Sequence, residues 1–129
     1  MFAVDPALRR IVATASGEFR PYDRYGEPVP GMSWVPLSGE IGNGLFECFL
    51  LRMAPGCESR PHEHVGYEEF LLLEGEMIDG DGQRLRSGDF VSYAPGSRHS
   101  SSTPQGCLLL VMLRGGNNRA LDAQEIARG

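Results

Sequence analysis

All three histidines of this 129-residue chain fall inside two short motifs framed by glycine. The first runs from Gly56 through His62-Glu63-His64 and Glu68 to Gly75, and the second from Gly88-Asp89 through Pro95-Gly96 to His99. Three imidazoles and a carboxylate make a mixed nitrogen and oxygen donor set that suits one divalent transition metal: iron, zinc, manganese or nickel. Such a set constrains the fold, because segments far apart in sequence must deliver His62, His64, Glu68 and His99 to one point with fixed side-chain directions. It also excludes chemistry. A Ser-His or Cys-His mechanism would need a histidine from the same three.

Strand geometry explains the spacing. Side chains on a strand alternate faces, so His62 and His64 point one way and Glu63 the other. Gly66 permits a turn, which returns Glu68 on the neighbouring strand to close the site from the side. The run Glu68-Glu69-Phe70-Leu71-Leu72-Leu73 reads as a buried strand with Glu68, Phe70 and Leu72 on one face. Alternation aims Glu69, the competing carboxylate, away from that face. His99 arrives from elsewhere in the fold, its approach fixed by the turn chemistry of Ala94-Pro95-Gly96-Ser97. Phe70 and Leu72, with Ser101 and Thr103 beyond His99, are the expected pocket lining. No catalytic residue is legible beyond the metal ligands.

The two motifs, spanning Gly56 to Thr103, resemble the paired signature of the cupin superfamily, the RmlC-like proteins. The stretches His62-Glu63-His64-Val65-Gly66-Tyr67-Glu68-Glu69, Leu73-Glu74-Gly75-Glu76 and Ala94-Pro95-Gly96-Ser97-Arg98-His99 are similar to two groups within it. One is the cupin domain of ChrR-type anti-sigma factors, which hold zinc. The other is the small acetylacetone-dioxygenase-like cupins, which hold iron. The resemblance implies an all-β fold, a cupin jelly-roll β-barrel in a single domain, with a metal on His62, His64, His99 and Glu68. In some related cupins the three histidines hold the metal and the carboxylate stands off, so both arrangements of Glu68 stay open. The family's second motif usually places Asn where this chain has Thr103, a position that is not a ligand.

Composition agrees with one compact soluble domain: 41% hydrophobic and 22% charged residues, in a chain long enough for one core. No apolar run approaches the roughly 18 residues of a membrane span. Met1 to Arg10 lacks the positive start and apolar core of a secretory signal, so the expected compartment is the cytoplasm. A net charge of −5 with scattered basic residues argues against nucleic acid. All twelve basic residues are arginine, which leaves no lysine for Schiff-base chemistry. Cys48, Cys57 and Cys107 show no metal-binding spacing and read as reduced thiols.

The chain divides into a head (1–31), a barrel (32–115) and a tail (116–129). Asp5-Pro6 carries the start signal of a short helix, Pro21 to Gly31 reads as an ordered loop, and Asn117 to Arg128 as a short helix without assigned chemistry. Strand signals cover Met32–Leu37, Leu45–Met53, Glu68–Leu73, Glu76–Asp79, Phe90–Tyr93, His99–Thr103 and Cys107–Leu113. Asp79-Gly80-Asp81-Gly82 is a hairpin turn, since Arg84 falls where a calcium loop needs glycine. Leu45–Met53 and Cys107–Leu113 are apolar on both faces, so their outer faces need a cover. A homodimer is expected there, with burial under the head and tail as the rival.

Function divides into classes. A metal-dependent dioxygenase, with iron and a small diketone, enol-type or aromatic substrate, fits a site in which a metal on three neutral imidazoles retains positive charge. A non-enzymatic zinc cupin, sensing or binding a small molecule as the ChrR-type domain does, uses the same ligands, as would a cupin isomerase or lyase. The segment before the barrel is too short and too rich in Pro and Gly for the helical domain that grips a sigma factor, which places the free-standing enzyme ahead.

Overall fold

The structure, a computed structural model, describes residues 1–39 and 45–129. Its strands are β1 (Arg20–Pro21), β2 (Met32–Ser38), β3 (Phe46–Met53), β4 (Cys57–Glu58), β5 (His62–Glu63), β6 (Tyr67–Asp79), β7 (Arg84–Arg86), β8 (Phe90–Tyr93), β9 (Arg98–His99), β10 (Ser101–Thr103), β11 (Cys107–Arg114) and β12 (Arg119–Ala120). A 3-10 turn at Pro6–Leu8, capped by the Asp5 carboxylate, and the short helix α1 (Ala123–Arg128), capped by Asp122, are the helical elements among the described residues. The molecule is thus all-β, as the sequence predicts. No helix among the described residues is long and apolar enough to cross a membrane.

The larger sheet runs β1-β2-β3-β11-β6-β10-β4, with β7 and β8 also paired to β6. The smaller one runs β12-β5-β9, and every pairing in both is antiparallel. Strand β6 joins the two halves of the larger sheet: its first part pairs with β11 and β8, its second with β7 and β10. The sequence signals divide β6 into two strands, Glu68–Leu73 and Glu76–Asp79. The chain instead stays extended, with a register shift in its pairing to β11 and Gly75 at a positive φ of 84°. A Cβ on Gly75 would run into the Gly106 carbonyl.

Inward positions follow the alternation. Cys107, Leu109, Val111 and Leu113 of β11 meet Phe49, Leu51 and Met53 of β3 and Phe70 and Leu72 of β6 in one core. Glu47, also buried, is held by the Arg24 guanidinium at 2.7 Å. That ion pair fastens the Pro21–Gly31 loop, which is ordered as the sequence predicts, with Tyr22 donating to the Met32 carbonyl and Val29 to the Tyr22 carbonyl.

The outer face carries a row of apolar residues in register: Val35 opposite Leu50, Leu50 opposite Leu110, Leu110 opposite Leu71, and Leu71 opposite Phe90. The head reaches the β2–β3 end of this row. There Arg10 bonds to the Leu37 carbonyl and the Arg52 guanidinium lies 4.8 Å from the Phe19 ring. At the other end Phe90 is 57% exposed.

Replacing Gly75 by alanine should destabilise the protein by about 3 kcal/mol or more, since a left-handed conformation and an immovable carbonyl act together. Gly88→Ala should cost only about 1–2 kcal/mol, since Gly88 has positive φ but open space around it. Urea denaturation of both variants checks the order.

Candidate metal centre

Strands β5 and β9 lie side by side with His62 directly opposite His99. A cross-strand pair shares one face, so the two rings meet, with centroids 4.6 Å apart. Glu63 faces the other way and binds Arg98 at 2.8 Å. His64 leaves the end of β5 and is gripped by the Ala94–Ser97 turn: its N–H donates to the Ser97 carbonyl and its own carbonyl accepts from Gly96. The turn therefore fixes two ligands, His64 as well as the His99 that follows it.

The three histidines offer nitrogens within 4.8 Å of one another, and no other such group of three His, Cys, Asp or Glu ligands forms among the described residues. Each Nδ1 is turned outward to a fixed partner. His62 Nδ1 lies 2.7 Å from the Arg60 carbonyl, His99 Nδ1 2.7 Å from Asp79 Oδ1, and His64 Nδ1 2.8 Å from Ser97 Oγ. A carbonyl and a carboxylate can only accept, and Ser97 Oγ already donates to the Ala94 carbonyl. Every Nδ1 must then carry a hydrogen, and in a neutral ring every Nε2 carries a lone pair. His62 and His99 Nε2 face each other at 3.0 Å, and the fully buried His64 Nε2 has no hydrogen-bond partner among the described residues. Burial drives the His62 pKa down to about 4, against a smaller opposing pull from Glu68, so it stays neutral at neutral pH. Three convergent lone pairs fit a bound cation.

Glu68 is on β6 in the larger sheet, opposite Tyr93 and Leu113. This corrects the expectation that it returns on the strand beside β5, whose neighbours are β9 and β12. Gly66 lies in the bend between β5 and β6, as expected, and also serves close approach, because a Cβ there would meet the Arg114 carbonyl. Glu68 Oε2 stands 3.7 Å from His64 Nε2, beyond hydrogen-bond distance, and Oε1 accepts from Asn118 at 2.8 Å. Burial pushes the Glu68 carboxyl up, but His64, His62 and the Asn118 amide outweigh it and hold the group below its usual value.

A cavity of about 40 Å³ opens from His62, Glu68 and His99 into the barrel. Phe49, Leu51, Phe70, Met77, Leu109 and Val111 form its apolar wall, and Ser101 and Asn118 add polar groups. Of the four pocket positions expected from sequence, Phe70 and Ser101 line this cavity. Leu72 and Thr103 do not; they are fully buried beside it, Thr103 Oγ1 donating to the Glu76 carbonyl. Cys57 turns to the Pro30 carbonyl, away from the histidines.

Sequence reasoning missed the residues that orient the ligands. Asp79, read only as part of a hairpin, accepts from His99 Nδ1 and from the Tyr93 hydroxyl at 2.7 Å each. Burial raises its pKa, but these two donors win and keep it ionised below the usual range. Tyr93 also stacks on His64 with rings 4.8 Å apart and 11° from parallel. Tyr25 brings its ring within 6.1 Å of His62. One signal was available: Asp79 follows buried Met77 by two positions on β6, so an acid sits at an inward position.

Residues 10–115 match the family described as the ChrR Cupin-like domain, and the chain belongs to that family. No curated protein matches the sequence. Among solved structures it is similar to a Ralstonia eutropha protein of unknown function with a cupin-like fold, at 24% identity and TM-score 0.66, covering 74% of this chain and 61% of that one. The chain thus spans about three-fifths of that relative. An acetylacetone dioxygenase from Acinetobacter johnsonii aligns at 15% identity and TM-score 0.73, over 97% of this chain and 83% of that one. The anti-sigma factor ChrR of Rhodobacter sphaeroides, in its complex with SigE, aligns at 24% identity and TM-score 0.56, over 64% of this chain and 44% of that one. These likenesses establish the cupin fold.

Alanine at His62, His64 or His99 should remove most bound metal from folded protein, whereas Glu68→Ala or Glu68→Gln should remove less. Asp79→Asn should weaken affinity roughly 10–100-fold by releasing His99. Competition against a chromophoric chelator measures all of these. Retention of full affinity by the three histidine variants would refute the site.

Proposed function

We propose that the protein is a metal-dependent dioxygenase that uses iron on a small diketone or enol-type substrate. The observation that carries this reading is the convergence of three imidazole nitrogens, two of them lining a small apolar cavity. Bound there, iron would supply positive charge for an enolate and electrons for dioxygen. His62, His64 and His99 would hold it, with Glu68 as a fourth ligand or a carboxylate standing off. The cavity limits what can enter. At roughly 10–15 Å³ per water-sized atom, about 40 Å³ admits a few heavy atoms, so the part of a substrate lodged inside the barrel must be small. Apart from Glu68 and the buried Tyr22 phenol, its wall offers no acid or base, which suits metal-directed chemistry better than proton shuttling.

The family match supports a second reading, a zinc-binding sensor or small-molecule-binding cupin of the ChrR type. The two separate by experiment. Iron-loaded protein should consume oxygen when given a small β-dicarbonyl, followed with an oxygen electrode. Tight zinc retention from iron-rich cultures, with no uptake across a panel of such compounds, would replace the enzyme reading with the sensor. Substrate loss without oxygen consumption would instead indicate a lyase or isomerase.

This reading places the protein in the cytoplasm, in keeping with three unpaired cysteines. It also makes the protein a homodimer. Support comes from the apolar row across five strands, ending at exposed Phe90, with Arg52 and Glu74 of opposite charge on the flanking row. Light scattering after size exclusion should give twice the chain mass at micromolar concentration, and Leu110→Arg should halve it. A monomeric wild type would show that the head alone covers this face.

A further inference from the structure

The C-terminal segment touches β5, β6 and β9, the strands that bear His62, Glu68 and His99. Arg119 and Ala120 pair with Glu63 and His62, and Leu121 donates to the Pro61 carbonyl. Asn117 donates to the Arg24 carbonyl in the loop that bears Tyr25. Glu125 of α1 binds Arg119 at 2.8 Å and Arg98, the neighbour of His99, at 3.1 Å. Glu63 completes a ring of four charges with Arg98 and Arg119 on the outside of the sheet whose inside bears His62 and His99.

Within this strap, Asn118 alone among residues 117–121 sends its side chain to the glutamate. Its amide donates to Glu68 Oε1 at 2.8 Å. The terminal torsion of a glutamate is broad and weakly held by sterics. Glu68 therefore needs an external partner to settle which oxygen faces the histidines. With Oε1 held by Asn118, Oε2 is the oxygen left toward His64 Nε2 at 3.7 Å. We infer that Asn118 is a positioning residue of the metal centre: it fixes the Glu68 carboxylate so that one oxygen, and not two, is presented to the ion. The main-chain pairing of Arg119 and Ala120 sets its position, which makes the tail part of the site.

This inference rests on reading the three histidines as a metal site, but not on any reaction. Cobalt(II) binding to the full chain tests it, read by visible absorption and chelator competition, with the melting temperature of metal-free protein as a control. Asn118→Ala should lower cobalt affinity about tenfold and change the absorption bands, with metal-free melting nearly unchanged. The near-isosteric Asn118→Asp, which sets a second negative charge against Glu68, should lower it further. The decisive comparison is the double variant. Glu68→Ala with Asn118→Ala should bind cobalt no more weakly than Glu68→Ala alone, because Asn118 acts through the carboxylate. Additive losses, or an unchanged Asn118→Ala, would overturn the inference while leaving the metal site intact. Failure of the wild type to bind cobalt would overturn both.

Discussion

Three imidazole nitrogens crowd one another, and much of the surrounding structure keeps them from escaping. A histidine can relieve such a conflict by rotating, by moving its proton to the other nitrogen, or by taking up a second proton. Rotation and tautomer exchange are blocked because each Nδ1 is committed to an acceptor on a different part of the chain: the Arg60 carbonyl before β5, Ser97 in the turn before β9, and Asp79 at the end of β6. Protonation of His62 is opposed by burial at neutral pH. A buried polar atom left without a partner costs about 1–3 kcal/mol, and among the described residues His64 Nε2 has none. A cation bound there would remove that cost.

The histidine motifs were legible because metal ligands need particular residue types at spacings that strand alternation explains. The longer strands were legible for a similar reason: β8 and β11 are bounded by turn residues and alternate or run apolar. What escaped was pairing without an apolar signature. Strands β5, β9 and β12 are two residues long and mostly polar, and nothing in their sequence announces a sheet. Glu68 shows the same limit. Local alternation placed it correctly on the inward face of β6, yet its neighbours depend on which strands pair across the whole fold. Asp79 and Asn118 escaped because a residue that orients a ligand through one hydrogen bond can lie anywhere in the chain.

The short strands explain why the tail matters. A two-residue pairing supplies too few hydrogen bonds to hold its register alone. The β12-β5-β9 sheet is reinforced from outside by Glu63, Arg98, Arg119 and Glu125, all partly open to solvent, where single ion pairs contribute little but a connected set resists sliding of one strand past the next. A slip of one residue would turn His62 outward and Glu63 inward. The charged ring outside and the imidazoles inside are therefore two faces of the same register. A cation at the histidines would lock from within the register that the arginines and glutamates hold from without.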